Sequence, residues 1–276
     1  PLGRLSGLFD YANITAAWLS GVWPFCLASV LHPFILGRNR VIPCALLVAF
    51  VSAMILTDSR NAWGAIVLGL PLVVGSASWS WLMPLIFICS LPVIIAVLPG
   101  FDFGIQQFAR TIVPDSIWMR LNDMQFVDTR TFEATRIGQW KVAVNLIFEK
   151  PWLGWGAAAF SIIYPLRTGL FHGHSHNLPL ELAISHGILV SFLINIFVFS
   201  LLIISGFYRI FNKLNLKKNI IVDRAWWTST LILICFHATD IPLFDSRVNI
   251  LGWILLIGLR CMINNSINYN NLLKKI

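Results

Sequence analysis

The sequence predicts an all-α membrane protein, a multi-span transmembrane helical bundle of about seven spans with one large outer loop that contains a helix. Three observations predict it. Of the 276 residues, 57% are hydrophobic and only 12% charged, with a mean hydropathy of +0.77, whereas roughly a quarter of residues are charged in soluble domains. The apolar residues come in long blocks, near the roughly 20-residue length of a membrane-crossing helix. Most of the 12 Trp lie near block ends, Trp63, Trp79, Trp81, Trp226 and Trp227 among them, where an amphipathic ring prefers the interface. A soluble enzyme and a nucleic-acid binder are excluded, despite the net charge of +8.

The spans follow in order. Ala12 to Leu31 and Val41 to Thr57 are bounded by polar turns. No acid or base lies between Asn61 and Phe101, so Ala62 to Ser76 and Trp79 to Pro99 are divided by length and by the Gly75-Ser76-Ala77-Ser78 turn. Leu178 to Ile204, Trp226 to Phe244 and Val248 to Ile263 complete the set. Cys26, Cys44, Cys89, Cys235 and Cys261 sit inside apolar blocks without paired spacing and read as small buried hydrophobes. The chain opens Pro1-Leu2-Gly3-Arg4, with neither an initiator Met nor a signal peptide. Residues 1–276 are therefore expected to be a single transmembrane domain, the C-terminal part of a longer membrane protein.

Orientation follows from Lys and Arg in the short loops, which favour the cytoplasmic side. Arg38 and Arg40, the run Arg209, Lys213, Lys217, Lys218 and Arg224, and the Lys274-Lys275 tail all fall on one side under a seven-span count. The other side receives the segment before Ala12, the turn Asp58-Ser59-Arg60-Asn61, residues 100–177, and Asp240 to Arg247. The unexplained polar residues thus converge on the outer side.

Residues 100–177 are too long for a plain connection. Thr131 to Glu149 reads as a helix, with Thr131 as cap, Glu133 in the first turn and a stripe of Arg136, Trp140, Val144 and Ile147. On periodicity alone that stripe lies equally well on the membrane surface or the bundle. Pro151-Trp152-Leu153-Gly154-Trp155-Gly156 follows, its glycines suiting a structural turn better than a phosphate cradle. Three histidines, His172, His174 and His176, then alternate ahead of Asn177. In an extended segment they share a face and can ligate a metal, although the cluster holds no carboxylate or Cys; alternatively one neutral imidazole is a general base near pH 7. A polar interfacial loop without chemistry is the bland alternative. His186 and His237 read as hydrogen-bonded helix residues. Arg60, in a tight turn between two spans, is costly to hold near hydrocarbon, and its fork matches phosphate; the bland reading is an interfacial anchor. Asp240, Asp245 and Arg247 form a second charged turn on that side.

Taken in order, Thr57-Asp58-Ser59-Arg60, Arg136-x-x-x-Trp140, Pro151-x-x-Gly154-x-Gly156 with Phe160, and His174-x-His176-Asn177-x-x-Leu180 resemble the O-antigen ligase and polymerase superfamily of bacterial inner-membrane glycosyltransferases. Gly7-Leu8-Phe9-Asp10-Tyr11-Ala12-Asn13 resembles the family's glycine-phenylalanine-asparagine segment ahead of a span. The resemblance implies a multi-pass protein with its active side in the periplasm, residues 100–177 being the periplasmic loop that carries catalytic motifs. It implies that a glycan on undecaprenyl diphosphate passes to an acceptor hydroxyl, of the lipid A core or another glycan, with inversion and without metal or other cofactor. The implied partners are that donor, that acceptor and membrane lipids.

Arg60 and Arg136 match the family's arginines and suit the charge gathering on a diphosphate leaving group. His176 is the first candidate for the base and His174 the second, with His172, Asn177, Trp140 and Asp240 as further substrate-binding candidates. Trp140, Trp152 and Trp155 suit stacking on sugar or, preferably, anchoring. A polymerase or a protein O-oligosaccharyltransferase would share the chemistry. A transporter, the reading from a different class, calls for charges near the bilayer midplane.

Overall fold

The computed structural model describes residues 3–32, 37–121, 131–210 and 220–273, which hold helices and no strand. The helices are α1 (Ala12–Leu31), α2 (Val41–Leu56), α3 (Arg60–Val74), α4 (Trp79–Val97), α5 (Phe103–Ile112), α6 (Asp115–Leu121), α7 (Arg136–Glu149), α8 (Ala159–Thr168), α9 (Leu178–His186), α10 (Ile188–Ser205), α11 (Ile220–His237) and α12 (Ser246–Leu273). Among the described residues, five helical stretches, in α1, α4, α10, α11 and α12, are long and apolar enough to cross a membrane, while α2 and α3 are apolar but shorter.

All seven predicted spans are helical, with corrections at their ends. The span from Leu178 to Ile204 is broken at Gly187, whose φ of 87° separates α9 from α10, and places His186 exposed at a helix end. The sixth span begins at Ile220 and ends at His237, so Asp240 lies in the turn that follows. Arg60 opens α3 instead of preceding it. The basic residues Lys213, Lys217, Lys218, Lys274 and Lys275 lie outside the described residues.

The core forms around α1, which packs on α2, α3 and α11 and buries Trp23 with Met54, Val73, Ile232 and Leu255. Close approach depends on Gly69, where a Cβ would stand 2.5 Å from Trp23 Cζ2. The cysteine expectation is corrected. Cys44, Cys89, Cys235 and Cys261 are exposed and Cys26 half-buried, all five as free thiols.

The described residues of 100–177 are largely helical, beyond the one helix expected there. Asp102 caps α5 by accepting from Gly104 N at 2.9 Å, and α8 forms where only a loop was expected. The cap of α7 is Thr135, which accepts from Gly138 N at 3.2 Å, because Phe132–Ala134 makes a separate 3-10 turn. Its buried face is Gly138, Gln139, Ala143, Leu146 and Ile147, leaving Arg136 and Trp140 half-buried beside the histidine loop. Together α7, α8 and α9 close over Leu146, Phe160, Tyr164 and Ile184.

The Pro151–Gly156 turn docks main chain to main chain on the α9–α10 break. Ile188 N donates to Pro151 O at 2.8 Å, Trp155 N to Ile184 O at 2.7 Å, and Gly156 N to Ser185 O at 3.1 Å. A side chain at Gly187 would run into the Trp152 carbonyl. Two of the turn's amides are therefore spent on this junction, which is the structural reading of its glycines.

The polar segments assigned to the outer side meet at one end of the bundle. Leu5 N donates to Leu56 O at 2.9 Å, Asn61 Nδ2 to Thr239 Oγ1 at 2.9 Å, and Arg247 Nη1 to Leu8 O at 2.6 Å. At the other end, Arg224 Nη1 donates to Val74 O at 2.9 Å.

Candidate functional site

The histidine loop is held by its own polar neighbours. Asn177 caps α9, its Oδ1 accepting from Leu180 N at 3.0 Å, while its Nδ2 donates to Ala238 O at 2.9 Å. One side chain thus starts a helix and ties the loop to the turn after α11. The Ser175 peptide is clamped from both sides: its N–H donates to buried Glu181 Oε2 at 2.9 Å, and its carbonyl accepts from Trp140 Nε1 at 3.0 Å. Between these ties, His176 adopts φ of 52°, a left-handed conformation rare for a non-glycine residue. The segment is bent, not extended as the shared-face reading required.

This bend delivers His176 to Asp240. Its Nδ1 lies 3.0 Å from Asp240 Oδ1. The carboxylate also accepts from Ile241 N at 2.9 Å and, on Oδ2, from Asn13 Nδ2 at 3.0 Å. Arg136 Nη2 stands 3.9 Å from Oδ2 and His174 Nε2 3.9 Å from Oδ1. Burial pushes the Asp240 carboxyl up, but the His176 hydrogen bond and charge, the Ile241 amide and Arg136 outweigh it and hold the group down to about 2. Asp240 is therefore an anion, able only to accept, so the proton on the 3.0 Å bond belongs to His176 Nδ1. A neutral His176 then has its lone pair on Nε2.

His174 plays a different part. Burial, reinforced by the His176 ring beside it, lowers its imidazole to about 4, and its Nδ1 accepts from His176 N at 3.2 Å. Its ring is 4.3 Å from that of His176. His172 stands further out, 6.3 Å from the His176 ring and edge-on to Tyr164 at 5.4 Å.

Arg136 opens α7 and Arg60 opens α3, so each guanidinium starts at a helix N-terminus, the end that favours anions. Arg60 lines a cavity of about 240 Å³ between α3 and α11 with Asn61, Gly64, Leu68, Ile232 and Phe236. Asn61, through Thr239, connects this arginine to the Asp240 turn.

Of the sequence-predicted residues, His174, His176, Asn177, Arg136 and Asp240 come together; Arg60 lines the α3–α11 cavity instead, next to Asn61, and His172 lies at the margin. Trp140 makes an anchoring contact, as does Trp155, whose Nε1 donates to Leu146 O at 2.9 Å; Trp152 is exposed. Sequence reasoning missed the roles of Glu181, Arg4 and Asn13 at the site. Asn13 stood within a resembling segment, while nothing in the spacing singled out Arg4 or Glu181.

His174, His176 and Asp240 also offer three ligand atoms within 4.8 Å of one another, a set able to hold a metal ion. That set contains the carboxylate missing from the local cluster. Asp240 is already engaged by His176, Asn13 and the Ile241 amide, with Arg136 close by, so a metal ion there would compete with these groups for the carboxylate.

Compared with known protein families, residues 45–195, more than half of the chain, match the model described as O-antigen ligase. Among curated proteins none matches.

Proposed function

Because the chain belongs to the O-antigen ligase family, we propose that it moves a glycan from undecaprenyl diphosphate to a hydroxyl of the lipid A core at the periplasmic face of the inner membrane. The observation that carries this reading is the His176–Asp240 pair with Arg136 beside it, at the bundle end where the outer segments meet.

The chemistry follows from the donors and acceptors. The acceptor hydroxyl approaches His176 Nε2 and gives up its proton there as its oxygen attacks the anomeric carbon. Asp240 orients the ring and stabilises the imidazolium that forms. The bond from the anomeric carbon to the phosphate oxygen breaks on the opposite side, which inverts the centre. Charge then gathers on the lipid diphosphate, where Arg60 and Arg136 offset it. No step calls for a metal or another cofactor. Such an arrangement supports a transferase over a transporter, because the charged groups named here sit at one end of the bundle.

The test is the membrane polysaccharide profile of a strain deleted for the gene. Loss of long-chain lipopolysaccharide with accumulation of lipid-linked polymer, reversed by the wild-type gene and not by His176→Ala, is the expected result. Normal polysaccharide attachment with His176→Ala would refute the base assignment; retention of single-repeat attachment in the deletion strain would point to a polymerase.

A further inference from the structure

The segment before α1 has no part in the mechanism above, yet it reaches the site through two side chains. Arg4 Nε donates to Thr57 O at the end of α2, at 2.8 Å, and its Nη2 donates to Asn13 Oδ1 at 2.7 Å. Asn13, on the first turn of α1, donates in turn to Asp240 Oδ2 at 3.0 Å. A guanidinium can only donate and a carboxylate can only accept, so the Asn13 amide has one workable orientation between them. Oxygen faces Arg4 and nitrogen faces Asp240.

The position of Arg136 makes that orientation matter. At 3.9 Å from Asp240 Oδ2, its guanidinium is beyond the roughly 2.7–2.9 Å of a charge-assisted hydrogen bond. A turn of the carboxylate toward Arg136 would shorten this contact. That movement would withdraw Asp240 from His176 and engage the arginine assigned to the diphosphate. The Asn13 amide, bonded to Oδ2 at 3.0 Å, opposes any turn that would take that oxygen from it.

Resting on the proposed transfer reaction, we infer that Asn13, oriented by Arg4, is a positioning residue that keeps Asp240 on His176 and off Arg136. Asparagine suits this place because it accepts from a cation on one side and donates to an anion on the other. Aspartate there would set two carboxylates face to face, and alanine would leave Oδ2 to Arg136.

The experiment uses the full chain in membrane vesicles, with lipid-linked polymer extracted from the deletion strain as donor and lipopolysaccharide core from that strain as acceptor. Turnover and donor KM are measured at matched protein levels for Asn13→Ala, Asn13→Asp, Asp240→Asn and the double variant Asn13→Asp/Asp240→Asn. Asn13→Ala should lower turnover by roughly 10- to 100-fold, the usual size of an orienting contact behind a functional ligand, and raise donor KM. Asn13→Asp alone should be at least as poor. The double variant exchanges acceptor and donor while restoring complementarity, so it should turn over about tenfold faster than Asp240→Asn, the low end of that range. Wild-type turnover for Asn13→Ala, or a double variant no faster than Asp240→Asn, would overturn the positioning role while leaving the transfer reaction standing. Full activity in Asp240→Asn would instead remove the transfer mechanism, and the inference with it.

Discussion

Replacing Asp240 by asparagine removes one charge and almost no volume, so its effect reads out hydrogen-bond logic. The wild-type carboxylate accepts from His176 Nδ1 at 3.0 Å, Ile241 N at 2.9 Å and Asn13 Nδ2 at 3.0 Å. An asparagine has one acceptor oxygen and one donor nitrogen, and neither orientation serves all three. With oxygen toward His176, the new NH2 faces the Asn13 NH2, which cannot turn because Arg4 holds its oxygen at 2.7 Å. With nitrogen toward His176, Nδ1 must accept, the proton moves to Nε2, and the base loses its lone pair. The equivalent change in a serine-protease triad costs on the order of 10⁴-fold by that tautomer error. A loss of roughly 10³- to 10⁴-fold is expected here, about 4–5.5 kcal/mol of barrier. The assay is the initial rate of polymer transfer in vesicles, with donor KM measured alongside. Loss confined to KM, or a rate within tenfold of wild type, would refute the argument.

Arg60→Ala and Arg136→Ala should each abolish polysaccharide attachment while the protein still inserts, with lysine at either site restoring only part of it because a point charge replaces a fork; full attachment with either alanine would remove the phosphate role. Gly187→Ala places a Cβ against the Trp152 carbonyl at φ of 87°, and strain of about 1–3 kcal/mol should reduce protein accumulation and thermal stability in detergent; an unchanged melting curve would show the junction to be slack. His174, lowered from 6.5 to about 4, takes up its proton more readily when the loop opens, so loop stability should be complete above pH 6.5 and decline as pH falls toward 4. The loss should be at most about 3 kcal/mol. Hydrogen exchange at the Ser175 and His176 amides measures it, and protection independent of pH across that window would contradict the burial of His174.

The bundle was legible because hydrophobic length is a local property. The block from Ala12 to Leu31 is α1 to the residue, and the Gly75 turn ends α3 as expected. What was missed depended on contacts between distant segments. The apolar run through Ile184 and Ile188 hides the break at Gly187, visible only once the Pro151 turn docks there. Helices α5 and α8 are short, and an outer segment with aromatics throughout shows no clear boundary for them. At the site, His174, His176, Arg136 and Arg60 were legible as rare polar types in an apolar chain. Asp240 was legible only as a charged residue on the same side, and its pairing with His176 was not, because the two lie 64 residues apart and the local cluster lacked a carboxylate. Arg4 gave no signal, since a single arginine ahead of a span reads as a topology marker until its hydrogen bonds are known.

The latch between the Pro151 turn and the α9–α10 break has one further consequence. It ties α7, which carries Arg136, to α9, which follows His176, whereas Asp240 belongs to the turn between α11 and α12. The imidazole and its carboxylate are thus mounted on different parts, like the two jaws of a clamp, and the Asn177–Ala238 hydrogen bond is the pin that joins them. Correct alignment of the base becomes a measure of how the outer helices sit on the bundle. A change in their seating would alter proton transfer without any change in the residues that perform it.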